Sequence, residues 1–308
     1  MNWSINMVFL MFVLVACQQE KVVASGPVEG SYLIEAKDLK TIVNNERIKI
    51  LDFRKKEDYN SEHIARALHI SRSDIEDKSY PYKGIMASKS QIETLFSGLG
   101  IKTNDTIIVY DDNGLGEATR LWWILQNYDF KQIKLLHGGI AAWKTKKGQV
   151  TTRVPQVIAT VFKLPEHPTM QYYISKEQVY EDLKTHTVIL DTRSKDEFSG
   201  KQQKNGASKG GRIPNSTHID WAEAINYDGD KRLKTIKELE TIYKRLNVKK
   251  TSPIIVYCHS GVRSAHTTFV LTQLLGYKNV RNYDGSWTEW SYFNDLPYEN
   301  NSITINKK

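Results

Sequence analysis

Short unbroken runs of β-branched and apolar residues punctuate the chain: Lys49–Asp52, Ile107–Tyr110 and Ile133–Leu136 in the first half, and Val188–Asp191, Ile254–Tyr257 and Asn279–Tyr283 in the second. Runs of this length without polar alternation suit strands buried on both faces. Between them, Ser90–Gly100 and Thr235–Val248 carry apolar residues at helical spacing, the first opened by a Ser-x-x-Glu capping box (Ser90, Glu93) and closed by Gly100. Alternating β and α segments predict an α/β fold, with a mostly parallel sheet flanked by helices.

The pattern occurs twice. "IKILDFRKKEDY" from Ile48 answers "VILDTRSKDEF" from Val188, "DTIIVYDD" from Asp105 answers "SPIIVYCH" from Ser252, and "HGGIAAW" from His137 answers "DGSWTEW" from Asp284. The last two pairs share one offset of 147 residues (Tyr110 to Tyr257, His137 to Asp284), and the first pair has a smaller one because the second half carries extra residues near Gly200–Gly211. A period this long is a duplicated domain. Two domains are expected, over 30–150 and 171–299, joined by an extended linker over 151–170 that holds Pro155, Pro165 and Pro168.

At the N-terminus, the apolar run Met7–Ala16 is shorter than the roughly 20 residues a membrane-spanning helix needs and reads as a signal-peptide core. It ends in "LVAC" (Leu14–Cys17) followed by polar "QQEK", which resembles the bacterial lipoprotein signal. That resemblance implies cleavage after residue 16 and acylation of Cys17, with 18–29 as a tether. The expected location is the cell envelope, as a periplasm-facing lipoprotein whose only membrane contact is its lipid, with a secreted or periplasmic protein as the alternative.

The net charge of +8 is concentrated in the second half, and no basic run is interleaved with aromatics. A small anionic substrate fits this better than a nucleic acid. With Cys17 acylated, Cys258 is the only free thiol of the chain's two cysteines. It directly follows the buried run Pro253–Tyr257 and precedes "HSGVR" and a helix predicted over Ser264–Gly276. Backbone N–H groups of such a turn, the helix N-terminus and the Arg263 guanidinium all favour the thiolate, and Gly261 suits the turn. Cys258 is therefore a candidate nucleophile. The first half has Asp111 at the equivalent position, which cannot accept sulfur, so one half reads as catalytic and the other as structural. His259 is expected at a solvent-facing rim. The remaining histidines show no ligand spacing, so no metal is expected. Trp122, Trp123, Trp287 and Trp290 read as core and domain-interface packing.

On these motifs ("LDTR" with Arg193, "GRIPNSTHIDW" from Gly211, "YCHSGVRSAH" from Tyr257 and "VRNYDGSWTEW" from Val280) both halves resemble rhodanese domains. The chain as a whole resembles the tandem-domain thiosulfate and mercaptopyruvate sulfurtransferases over residues 30–297. The resemblance implies an inactive first domain packed on a catalytic second one, acting as a monomer without metal or organic cofactor. It implies a two-step reaction in which Cys258 takes sulfur from a small anionic donor and passes it, as a persulfide, to cyanide or a thiol. The loop residues His259, Ser260, Gly261, Val262, Arg263 and Ser264 would bind the substrate, and Arg193 would be a second substrate-binding arginine unless it pairs with Asp191 or Glu197. Cysteine phosphatases use a Cys-x5-Arg loop, whereas Arg263 follows Cys258 after four residues and Ser264 stands at the phosphatase position. Mercaptopyruvate enzymes carry Thr where this loop has Arg263, and an arginine where this chain has Glu197, whose charge would repel a carboxylate. Thiosulfate is therefore the expected donor, with mercaptopyruvate transfer or a non-catalytic sulfur carrier as alternatives.

Overall fold

The computed structural model describes residues 32–301. The signal segment with Cys17 and the tether 18–29 lie outside the described residues. Two sheets of five strands, all parallel, form the two halves. In the first the order is Leu33–Ile34, Ile133–Leu136, Thr106–Tyr110, Ile48–Asp52, Leu68–His69. In the second it is Thr217–His218, Val188–Asp191, Ile254–Tyr257, Val280–Tyr283, Tyr173–Ile174. The three inner strands of each sheet are the unbroken apolar runs, and helices cover both faces, as the β/α alternation requires. Corresponding residues hold corresponding registers: Asp52 pairs with Tyr110 and Asp191 with Tyr257, each at the carboxyl end of its strand.

The first predicted helix runs Lys89–Gly98, capped by Ser88 and Gln91 rather than Ser90 and Glu93. Ser88 Oγ accepts from the Gln91 N–H at 3.3 Å, and the Gln91 side chain accepts from the Ser88 N–H at 2.7 Å. Glu93 serves the linker instead, accepting from the Leu164 N–H at 2.9 Å. Around it, Phe162 packs edge-on to Phe96 with ring centroids 5.0 Å apart, so the linker is fastened to the first domain's core.

The domains meet through the helices that follow the two central loops, Gly116–Asn127 and Val262–Phe269, which lie against each other. Trp122 fills the seam between Tyr32 and Phe269, with centroids 5.6 and 5.0 Å away. This contact places the first domain's loops beside the carboxyl end of the second sheet, where ligands of open α/β sheets bind.

Candidate active site

Cys258 is the first residue beyond the strand Ile254–Tyr257 and is 1% exposed. Gly261 takes φ +80° and ends the turn, and the helix begins at Val262, two residues before the sequence pattern placed it. Arg263 and Ser264 thus sit in its first turn rather than in the loop. Ser264 Oγ donates to the Cys258 sulfur at 3.4 Å. Burial opposes ionisation of the thiol, yet the Arg263 charge, the Ser264 hydroxyl and the N–H groups of Ser264 and Ser260 outweigh it and hold the Cys258 pKa below its ordinary value. The turn at the end of Val280–Tyr283 anchors the backbone. Ser286 Oγ accepts from the Cys258 N–H at 3.1 Å, and the Trp287 N–H donates to the Cys258 carbonyl at 3.0 Å.

Around this cradle several side chains depart from expectation. Arg263 is gripped by Glu197 through two hydrogen bonds of 2.7 and 2.8 Å, so its fork is occupied and Glu197 is neutralised. Arg193 is 1% exposed, and its guanidinium is committed to Asp191 (3.0 and 2.6 Å) and the Gly211 carbonyl (2.7 Å), above the Trp287 ring. Arg193 is thus paired with Asp191, the structural role expected as its alternative, and the first domain has a counterpart. Arg54 holds Asp52 in the same way and reaches the Glu62 carbonyl, so the pair belongs to the fold and recurs where no cysteine exists. His259 is buried, not at a solvent-facing rim. The inserted segment 200–211 covers it, and its Nε2 lies 3.0 Å from the Asn205 carbonyl, which fixes Nε2–H as donor. Burial lowers its pKa to about 4, so the ring is neutral.

Ser260 faces the first domain. Arg72 Nη1 lies 3.4 Å from Ser260 Oγ, and Gly84 approaches so closely that a Cβ there would stand 2.6 Å from the Ser260 Cβ. The Arg72 side chain is one third exposed and pairs with Glu117 at 3.2 Å and Glu76 at 3.7 Å, so an arginine that the loop sequence does not contain stands at the edge of the site with its own counter-charges.

The family model for the rhodanese-like domain matches residues 35–146 and again 175–292. The chain belongs to the rhodanese family. A protein of Saccharopolyspora erythraea, provisionally named a thiosulfate sulfurtransferase, is 32% identical over 249 residues, spanning 79% of this chain and 86% of the relative. The sulfur carrier protein TtuD of Thermus thermophilus is 32% identical over 219 residues, 68% of this chain and 76% of its own. The solved 3-mercaptopyruvate sulfurtransferase SseA of Escherichia coli superposes with a TM-score of 0.73 at 24% identity, over 83% of this chain and 99% of that one, a likeness of fold.

The first rhodanese domain shows what its sister's loop is built to hold. Asp111 occupies the cysteine position and is buried, and its carboxylate accepts the N–H groups of Asn113, Leu115 and Ala118 at 3.0, 2.9 and 3.0 Å. Gly114, φ +66°, matches Gly261. A side-chain carboxylate thus fills the amide cradle from within. Sequence comparison of the halves found the Asp111–Cys258 contrast. Ser286 lies in the motif that starts at Asp284, but nothing in that motif points to the cysteine N–H, and Arg72 carries no signal of its own, because the tertiary structure alone brings them to the loop.

Proposed function

We propose that this protein is a sulfurtransferase that moves a sulfane sulfur from thiosulfate to a thiophilic acceptor through a persulfide on Cys258. The observation that carries the reading is the buried Cys258 thiol with Arg263, the Ser264 hydroxyl and two loop N–H groups arranged to favour its anion. In the first step the thiolate attacks the outer sulfur of thiosulfate. A Cys258–sulfur bond forms, the sulfur–sulfur bond to sulfite breaks, and sulfite leaves with the bonding electron pair. The terminal persulfide sulfur then carries the negative charge and rests on the same N–H groups. A cyanide or thiolate acceptor attacks that sulfur, giving thiocyanate or an acceptor persulfide, and Cys258 departs as thiolate.

The donor reading rests on how the arginines near the loop are engaged. A carboxylate is best recognised by an open bidentate arginine, and here Arg263 and Arg193 both spend their forks on Glu197 and Asp191. Thiosulfate needs only its outer sulfur in the loop and its sulfonate end at the mouth, where Arg72 is one third exposed although paired with Glu117 and Glu76. The names of the relatives are consistent with sulfur handling. Steady-state turnover with thiosulfate and cyanide should yield many equivalents of thiocyanate, lost in Cys258→Ser, with a higher kcat/KM than for mercaptopyruvate. A preference for mercaptopyruvate would reverse the donor, and release of a single equivalent would make the protein a carrier. We further propose that Cys17 anchors the mature protein at the cell envelope. Mass analysis of the mature N-terminus should find an acylated cysteine, and a retained Met1 would refute it.

A further inference from the structure

We propose that Arg120, supplied by the domain without a cysteine, is a positioning residue for the Cys258 loop, so that both domains assemble the thiolate cradle. Arg120 lies on the helix Gly116–Asn127, is 1% exposed and rests on the Trp123 ring, 4.8 Å from its centroid. Its guanidinium touches three separate segments of the site. Nη1 donates to the Gly261 carbonyl at 3.3 Å, Nη2 donates to the Gly84 carbonyl at 2.8 Å, and Nη2 forms an ion pair with Asp284 at 2.6 Å. Gly261 closes the cysteine turn, Gly84 packs on Ser260, and Asp284 opens the turn whose Ser286 hydroxyl holds the Cys258 N–H.

The contact with Gly261 acts through the peptide plane. The Gly261 carbonyl and the Val262 N–H belong to one planar unit and point in opposite directions, so fixing one fixes the other. In the first domain the equivalent N–H, that of Leu115, points into the cradle and meets the Asp111 carboxylate at 2.9 Å. The Gly261 carbonyl accepts from the Ala265 N–H at 3.2 Å and Asn282 Nδ2 at 3.4 Å as well as from Arg120, and held outward by all three it turns the Val262 N–H toward the place where charge develops on sulfur. Such donors are effective when oriented before the reaction begins.

The symmetry of the molecule argues against a mere fold feature. The residue at the Arg120 position in the second domain is Thr267. Across the seam, the first domain's Gly114 carbonyl meets only the neutral His266, Nε2 at 3.1 Å, which touches no other segment of that loop. A buried guanidinium is a poor choice for interface stability alone, since its desolvation offsets much of its attraction to Asp284.

The inference rests on Cys258 being the reacting thiol, and the full chain with Arg120→Met and Arg120→Lys tests it. Thiolate absorbance is followed against pH, and persulfide formation from thiosulfate is followed in single turnover. In Arg120→Met the Cys258 titration should move to higher pH and persulfide formation should slow by about tenfold to a hundredfold, with kcat falling more than KM rises. Arg120→Lys, which can keep one contact, should recover part of both. A folded Arg120→Met with wild-type titration and rate overturns the assignment. If that variant does not fold, Arg120→Lys decides by the same criteria. If neither folds, Arg120 is an interface clamp and the assignment fails. The titration needs no donor, so a wild-type protein that forms no persulfide would sink the proposed function while the titration still judged Arg120.

Discussion

Glu197 grips Arg263 through two parallel hydrogen bonds, Oε2 to Nη1 at 2.7 Å and Oε1 to Nη2 at 2.8 Å, so the cation that favours the Cys258 thiolate carries its own counter-charge. The pair tunes the thiol in both directions. Glu197→Gln keeps an oxygen for Arg263 and removes the negative charge, so the Cys258 titration should move to lower pH. Arg263→Met should move it higher, by about one pH unit in each case, a tenfold change in thiolate fraction. The pH dependence of iodoacetamide alkylation measures both. Unchanged profiles would show that Arg263 does not act on the sulfur.

The same pair makes stability depend on pH. Burial pushes the Glu197 pKa up, but hydrogen bonds and charge from Arg263 overcome this and set it at about 2, below its ordinary value of 4.5. A depressed carboxyl pKa means that the stabilisation is present above pH 4.5 and is lost as pH falls toward 2. Urea unfolding from pH 5 to 2.5 should show wild type losing more stability than Glu197→Gln. Parallel curves would deny the coupling.

Arg193 and Arg54 should behave as a matched pair of structural residues. Each is buried against an aspartate two residues before it, and removing either guanidinium strands a buried carboxylate, at a cost of about 3–5 kcal/mol. Arg193→Met and Arg54→Met should therefore lower the melting temperature comparably. If Arg193→Lys instead kept its stability and raised the KM for thiosulfate tenfold or more, Arg193 would be a donor ligand after all.

Ser264 offers a milder perturbation. Its hydroxyl is fully buried and donates to the Cys258 sulfur at 3.4 Å, so Ser264→Ala removes one donor without leaving an unpaired charge. Losing a hydrogen bond to an anion of about 1 kcal/mol predicts persulfide formation slower by about fivefold. Thermal stability should stay near wild type. A rate equal to wild type in rapid-mixing experiments would remove Ser264 from the cradle.

What could be read from the sequence was local. The strand runs are legible because their burial on both faces leaves no polar alternation, and Cys258 and Asp111 are legible because the repeat aligns them. The capping box was misplaced by two residues because Ser88 and Ser90 offer the same hydroxyl and only Ser88 has extended backbone, ψ 161°. Arg193 was ambiguous although its twin Arg54 stood in the half without a cysteine, which already argued for a structural pair. His259 was misjudged because the inserted segment that buries it has no counterpart in the first half. Arg72, Arg120 and Ser286 enter the site through domain docking and chain return, and no spacing along the chain encodes either.

Asp111 allows the first domain's own amide cradle to be tested. Burial raises its pKa from 3.8 to about 6, against three backbone hydrogen bonds that pull it down. A raised carboxyl pKa means that the folded state prefers the proton, so stability is fully present below pH 3.8 and declines as pH rises through 6, by an amount on the order of 3 kcal/mol. This slope runs opposite to that from Glu197. Asp111→Asn is uncharged at every pH, and its amide N–H groups would face the loop's own donors, so it should start less stable than wild type at pH 4.5. It should then gain on wild type as pH rises to 7, because it has no charge to bury. Urea unfolding of the two proteins at both pH values decides the matter. A constant difference between them would mean that the carboxylate is ionised throughout, held by its amides more firmly than burial opposes it.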